Sequence, residues 1–179
     1  METAEKRYTG LYEWVEIITA SLVIITLVFT FLFRLVQVDG TSMETTLHDR
    51  ERLVLSCLPY TPARGDIVVV SQGGENEPLI KRVIALEGDT VSIDAQTGTV
   101  YLNGELLQEP YIHVPTAMER MEGEVTVPEG MVFIMGDNRL RGHSLDSRTF
   151  GCVETGRLIG KAVYRISPMD RLGGLYDEF

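Results

Sequence analysis

Three regimes of hydrophobic and polar residues follow one another along the chain. Residues 1 to 16 are polar, with Lys6, Arg7 and several glutamates. From Ile17 to Phe33 an apolar run carries no charge. At 1.5 Å per residue it makes a helix of roughly 25 Å. The flanking Trp14, Val15, Leu35 and Val36 extend it toward bilayer thickness. Tyr8, Tyr12 and Trp14 are placed to form an aromatic belt at its first end. From Val38 onward, short apolar segments broken by Gly, Pro, Asn and Asp predict strands. They fall at residues 53–58, 67–70, 79–86, 90–93, 100–102, 105–107, 125–127, 131–135 and 162–166. Asn103-Gly104 signals a tight turn, and 94–98 a hairpin connection. Residues 73–78 read as a loop, and 108–124 as polar, Met-containing and irregular. No stretch of helical period follows the apolar run, and no internal repeat is found. Short strands at this spacing predict a sandwich or barrel.

The rival reading of the apolar run is a cleaved signal peptide. That would have a shorter core and an Ala-x-Ala site after it. Here Arg34-Leu-Val-Gln-Val-Asp follows, with no pair of small residues. An uncleaved membrane anchor is the reading adopted. Lys6 and Arg7 outnumber Arg34 too narrowly for the positive-inside rule to fix the orientation. A chain of 179 residues accommodates one domain plus such a segment. A hydrophobic content of 44% with 17 Gly and 7 Pro fits a turn-rich β domain and excludes disorder. The formal net charge of −10 argues against a nucleic-acid partner, whose phosphates need clustered cations. Two cysteines, Cys57 and Cys152, are too few for a disulfide framework and are expected as free thiols. His48 and His113 lack metal-ligand spacing, and His143 reads as a solvated loop histidine. No metal or other cofactor is expected.

Ser42 follows the apolar run closely, in Asp39-Gly-Thr-Ser-Met-Glu-Thr-Thr-Leu47. Taken alone, a serine in such a turn most often satisfies its own backbone. Lys81 changes the balance. It sits in Leu-Ile-Lys-Arg-Val-Ile-Ala-Leu, an apolar strand where a charge is unwelcome. A serine needs a base to become a nucleophile, and lysine is a base only when neutral. At its reference pKa of ~10.4 only roughly 0.1% is neutral near pH 7.4, and desolvation raises that share. Strand alternation puts Lys81 on one face with Leu79, Val83 and Ala85, and Arg82 on the other with Ile80 and Ile84. If the first face is inward, Lys81 is the dehydrated one. The competing reading of this segment is an edge-strand lysine that blocks aggregation.

Four boxes occur in order: Ser42-Met43-Glu44-Thr45-Thr46-Leu47; Gly65-Asp66-Ile67-Val68-Val69; Lys81-Arg82-Val83-Ile84 to Gly88-Asp89; and Gly136-Asp137-Asn138-Arg139 to Ser144-Leu145-Asp146-Ser147-Arg148. Following a membrane segment, this resembles the bacterial type I signal peptidases, Ser/Lys-dyad proteases that remove signal peptides. The resemblance extends from the apolar run to Pro168. It implies a mainly β fold: an N-terminal transmembrane helix, then a β catalytic core with a small inserted β subdomain. The expected boundaries are 1–36 for the cytoplasmic N-terminus and anchor, 37–179 for an extracytoplasmic catalytic domain, and about 90–126 for the insertion. It implies an N-terminus inside the cytoplasmic membrane and a catalytic domain outside. The implied partners are preprotein signal peptides, the lipid bilayer and the secretion translocon.

The resemblance implies Ser42 as nucleophile and Lys81 as general base, with the Ser42 N–H as an oxyanion donor. Some members add a hydroxyl two residues before the nucleophile; Gly40 stands there, so the second donor stays open. Ser144 matches the residue that hydrogen-bonds the lysine. Asp146 and Arg148 match a structural ion pair, and Asp137 and Asn138 a largely architectural turn. Val38, Met43, Leu47, Leu79 and Ile80 match shallow apolar substrate pockets, with core packing as the alternative for each. Met43 is also expected to reach lipid. The chain departs from the family twice. Thr45 stands where proline is common, leaving the loop looser or finding a local hydrogen bond. Leu140, Arg141, Gly142 and His143 separate Arg139 from Ser144, making the last box about two residues longer than is usual in the family. Small residues at −1 and −3 of the cleaved segment are the expected preference. The rivals are a self-cleaving Ser/Lys repressor-type protease, disfavoured by the apolar run and acidic charge, and an anchored β module that binds without catalysis.

Overall fold

The computed structural model of the chain describes residues 2–74 and 77–176, without the side chains of 2–9 and 11. The side chains of Lys6, Arg7 and Tyr8, and loop residues Glu75 and Asn76, lie outside the described residues. Helix α1 runs over Glu2–Phe31. Within it Tyr12–Phe31, 20 residues of mean hydropathy 2.1, is long and apolar enough to cross a membrane and is not buried in the protein. Tyr12 and Trp14 are both well exposed at its first end.

The helix ends before the apolar run does. Phe33–Gln37 form strand β1, paired antiparallel with β2 (Arg52–Ser56). Leu35 and Val36, expected to lengthen the membrane segment, belong to this strand. The pairing decides it: Val36 faces Leu53 and packs against the core beside it. The β unit therefore begins ahead of the boundary expected after residue 36.

Ten more strands follow: β3 (Ile67–Val70), β4 (Leu79–Leu86), β5 (Thr90–Ile93), β6 (Val100–Leu102), β7 (Glu105–Leu106), β8 (Glu124–Thr126), β9 (Met131–Met135), β10 (Val153–Glu154), β11 (Leu158–Ser167) and β12 (Gly173–Gly174). An eight-stranded sheet has the order β1-β2-β11-β3-β4-β9-β10, with β12 on β11. A 3-10 turn, Thr155–Arg157, leads β10 directly into β11, and the sheet curls into a half-barrel. A second sheet, β7-β6-β5-β8, occupies residues 90–126 between β4 and β9. One helical turn, α2 (Ser147–Phe150), interrupts the otherwise β body.

Both faces of the main sheet are packed. One carries Val68, Val70, Val83, Val132 and Ile134; the other carries Val38, Leu53, Leu55, Ile67 and Val69. A third cluster, with Ile84, Val91, Val100 and Phe133, joins the two sheets. This alters the expectation for β4. Lys81 pairs with Val68 and Arg82 with Ile67, so they do point to opposite faces. Arg82 is nonetheless as buried as Lys81, each at 2% exposure, because neither face meets water. The alternation also breaks: a bulge between Val83 and Ala85 puts Ala85 in the same cluster as Ile84.

The tail beyond Pro168 returns to the body. Leu175 is buried in the cluster that holds Met43 and Leu47. The Tyr176 hydroxyl accepts from Ile67 N–H and donates to the Ala162 carbonyl, both at 2.9 Å. Cys57 and Cys152 are free and half-buried.

Candidate active site

The loop between β1 and β2 holds Ser42 between apolar anchors. Val38, Met43 and Leu47 are 2%, 1% and 0% exposed and pack with Leu53. Glu44 N–H closes a turn on Thr41 O, and Thr46 and Leu47 N–H groups bond Met43 O. Gly40 has φ +81°, a left-handed conformation that favours glycine, and its N–H donates to Asp49 Oδ1 at 2.9 Å. Glycine at 40 thus serves the turn. Among the described residues no hydrogen bond engages the Ser42 N–H.

Strand β4 brings Lys81 to this loop. Its Nζ lies 2.7 Å from Ser42 Oγ and 2.9 Å from the Ile80 carbonyl. Burial pushes its pKa down to about 8, against the pull of Asp146 and Asp137 in the opposite direction; Arg148 reinforces the lowering. The neutral amine can accept the Ser42 proton across the same 2.7 Å.

The last box surrounds this contact. Asp146 and Arg148, both fully buried, form a bidentate pair at 2.7 and 2.9 Å. Asp146 also caps α2 and accepts the Gly136 N–H at 2.9 Å. Its burial opposes ionisation, but the hydrogen bonds and charge of Arg148, with Ser144 and Gly136, hold it below the usual carboxylate range. Ser144 differs from expectation. Its hydroxyl donates to Asp146 Oδ2 at 2.6 Å, and among the described residues no hydrogen bond joins it to Lys81. Arg148 keeps Asp146 ionised, and the carboxylate accepts this hydrogen bond beside the arginine. Gly136 is a close approach: a Cβ there would collide with Ser144 Oγ and the Ser42 carbonyl.

Asp137 and Asn138 brace the nucleophile loop. Asn138 donates its N–H to Ser42 O at 3.0 Å and its Nδ2 to Thr41 O at 3.1 Å. Asp137 binds Arg82 at 2.6 and 2.9 Å and accepts from Thr46 Oγ1 at 2.5 Å.

Three of the five expected pocket residues are core. Val38, Met43 and Leu47 anchor the loop from beneath, and Met43 at 1% exposure has no surface to offer lipid. Leu79 and Ile80 are half-buried, and Ile80 packs against the same cluster. Thr45 finds a distant partner instead of a local one: its hydroxyl donates to the Tyr111 carbonyl at 2.7 Å. His143 is exposed. Among the described residues no three His, Cys, Asp or Glu side chains are grouped to hold a metal. A cavity of about 610 Å³ beside Tyr60, Leu86 and Leu158 contains neither Ser42 nor Lys81.

The residues that sequence reasoning missed are Thr46, Glu109, Tyr111 and Arg139. Arg82 had a signal, a second charge in an apolar strand. Tyr111 and Glu109 had none, since they lie in the irregular segment and reach Thr45 and Arg139 only through contacts made in space.

Residues 11–167 match the family model of the signal peptidases, peptidase S26. The chain belongs to this family. It is 37% identical to signal peptidase I of Bacillus licheniformis, covering 96% of each chain. Signal peptidase I T of Bacillus subtilis (strain 168) is 33% identical, with 96% of this chain and 93% of that one covered. A crystal structure of a signal peptidase I from Enterococcus faecalis V583 is 32% identical, covering 57% of this chain and 97% of that chain, with a TM-score of 0.45. All four boxes that carry the resemblance lie inside the matched span of this signal peptidase.

The burial of Lys81 has a measurable sign. Its folded pKa of about 8 lies below the 10.5 of an ordinary lysine. Between those values the unfolded chain binds more protons, so stability rises with pH there. Below about 8 the penalty is complete, at about 3 kcal/mol for this shift. Lys81→Met keeps the length and removes the charge. It is expected to stabilise the detergent-solubilised chain against denaturant by about 1–3 kcal/mol at pH 7. The gain should shrink as pH rises from about 8 toward 10.5. A pH-independent difference would show that Lys81 is not dehydrated.

Proposed function

We propose that Ser42 and Lys81 carry out the cleavage by which this chain, a serine endopeptidase of the signal peptidase family, removes signal peptides from exported preproteins. The observation that carries the assignment is the 2.7 Å contact between Ser42 Oγ and a lysine amine buried in a sheet. Neutral Lys81 takes the Ser42 proton as Oγ adds to the scissile carbonyl. The Ser42 N–H faces the developing oxyanion as a donor with no competing partner. The resulting ammonium gives its proton to the leaving amine, and the signal peptide stays as an ester on Ser42. Lys81, neutral again, takes a proton from water, hydroxide attacks the ester, and the ammonium returns a proton to Ser42. Asp146, Arg148 and Ser144 support Lys81, and Asp137 and Asn138 hold the Ser42 loop.

In this reading Tyr12–Phe31 anchors the enzyme in the cytoplasmic membrane, with the N-terminus inside and both sheets on the outer face. The apolar, unburied helix supports the anchoring, and the direction is taken from the family resemblance, since the charges at the two ends differ by one cation only. The bilayer holds the apolar helix of a signal peptide beside the anchor, and confinement raises encounter frequency. The translocon that delivers preproteins is the expected neighbour. Protease added to intact spheroplasts should digest the sheets and spare the first residues. Protection of the sheets until lysis would reverse this orientation.

Each member of the dyad is needed. Ser42→Ala and Lys81→Ala should each abolish preprotein cleavage, and the double variant should be little worse, since a catalytic unit is lost only once. In the intact enzyme kcat/KM should rise with pH through about 8, where Lys81 loses its proton. Substantial cleavage by Lys81→Ala would dismiss the dyad.

The surface left for substrate near the dyad is half-buried and apolar, at Leu79 and Ile80. A charged side chain at −1 would lose water without gaining a partner, at a cost of several kcal/mol. A large one would displace the carbonyl from Ser42. Small residues, alanine above all, are expected at −1 and −3. A preprotein series with Leu, Phe, Lys or Glu at those positions checks this, and efficient cleavage after Lys or Phe would contradict it.

A further inference from the structure

The segment between β7 and β8 belongs to the second sheet by chain order, but its contacts run to the dyad. Tyr111 lies at the centre of them. Its carbonyl accepts the Thr45 hydroxyl at 2.7 Å, three residues after Ser42. Its ring lies under the Arg82 guanidinium, 3.9 Å from centroid to Cζ, one residue after Lys81. Its hydroxyl donates to Glu109 Oε1 at 2.7 Å. Glu109 in turn forms a buried ion pair with Arg139, through Nη1 at 2.9 Å and through Nη2. Arg139 closes the circuit with its Nε on the Gly136 carbonyl at 2.8 Å, and Gly136 packs against Ser42 O and Ser144 Oγ.

One tyrosine thus touches the loop of the nucleophile, the strand of the base and, through Glu109, the box that lies against both. We propose that Tyr111 is a positioning residue, by which the segment at 109–117 clamps the Ser42 loop and the Lys81 strand at a fixed separation. The proposal rests on Ser42 and Lys81 being the reacting pair.

The need for such a clamp follows from the chain itself. Ser42 sits in a loop whose position 45 is threonine, which leaves φ free where proline would fix it. A hydrogen bond to a segment 66 residues away supplies the restraint. Arg82 is paired with Asp137 on one side and covered by the aromatic ring on the other, a stacked arrangement that suits a weakly hydrated guanidinium. Neither contact reaches the reacting atoms, so neither stabilises the transition state directly. What they control is the distance between Oγ and Nζ, and small misplacements of reacting groups cost rate heavily.

The test is preprotein cleavage by the full-length chain in detergent micelles, bracketed by wild type and Ser42→Ala. Cleavage by Ser42→Ala would dismiss the dyad itself, independently of Tyr111. Thr45→Val removes the hydroxyl and keeps the shape. It is expected to lower kcat about five- to tenfold with KM within about twofold. Tyr111→Ala removes the ring and keeps the carbonyl, and kcat should fall about tenfold or more. Tyr111→Phe keeps the stack and the carbonyl, and should stay within about threefold of wild type. The proposal is overturned if Thr45→Val leaves kcat unchanged, if the losses lie in KM alone, or if Tyr111→Phe loses as much as Tyr111→Ala. Should Tyr111→Ala fail to fold, the near-isosteric Thr45→Val decides alone.

Discussion

The active centre depends on keeping one amine dry. In the proposed mechanism Lys81 must be neutral to serve as base, and burial is what lowers its pKa toward that state, to about 8. Yet the same small volume contains Asp146 and Asp137, whose charges favour the ammonium. The structure resolves this by giving each carboxylate its own arginine. Asp146 is held by Arg148 and Asp137 by Arg82, both pairs wholly or almost wholly buried. Such pairs contribute little net stability, because desolvation offsets their attraction. Their value here is electrostatic. An unpaired Asp146 would draw the proton back onto Lys81 and leave Ser42 without a base.

The loop that carries Ser42 faces a related demand. It must present a hydroxyl to substrate without moving. Apolar anchors below, at Val38, Met43 and Leu47, fix its floor. Polar ties fix its sides: Asn138 to Ser42 O and Thr41 O, Thr46 to Asp137, and Arg165 Nη2 to Thr46 O at 2.8 Å. Leu175 and Tyr176, from a tail beyond the family match, close the same core. Pocket formation and loop anchoring thus compete for the same side chains, and anchoring has taken Val38, Met43 and Leu47.

The contact between Ser42 and Lys81 and the fold were legible in the sequence for different reasons. Ser42 and Lys81 stand in boxes whose order and spacing are specific. The strands were legible from apolar segments and turn residues, and the insertion from its place between two of them. Period-2 reasoning placed Lys81 and Arg82 on opposite faces of β4. It failed at the bulge after Val83, because a bulge leaves no mark in a run of interchangeable apolar residues. It also could not tell that both faces are covered. The end of the apolar helix is not legible, because Leu35 and Val36 suit a strand as well as a bilayer, and pairing with β2 decides between them. The roles of Thr45 and Tyr111 depend on a contact across 66 residues, which no local pattern encodes.

Adjacent residues of one strand show how partners, not burial, determine charge. Lys81 and Arg82 are equally inaccessible, at 2% exposure. Burial works against the charged form of both. Lys81 has a serine hydroxyl and a carbonyl as its hydrogen-bond partners, and burial prevails. Arg82 has the two oxygens of Asp137, the Gly65 carbonyl and an aromatic face; the hydrogen bonds and charge of Asp137 overcome burial and raise its pKa above the ordinary value. The guanidinium is also intrinsically too basic to lose its proton in such a place, whereas the lysine amine is not. An exchange of the two residues would keep the composition and the pattern of the strand. It would also put a permanent cation beside Ser42, and the strand would fold around a site with no base.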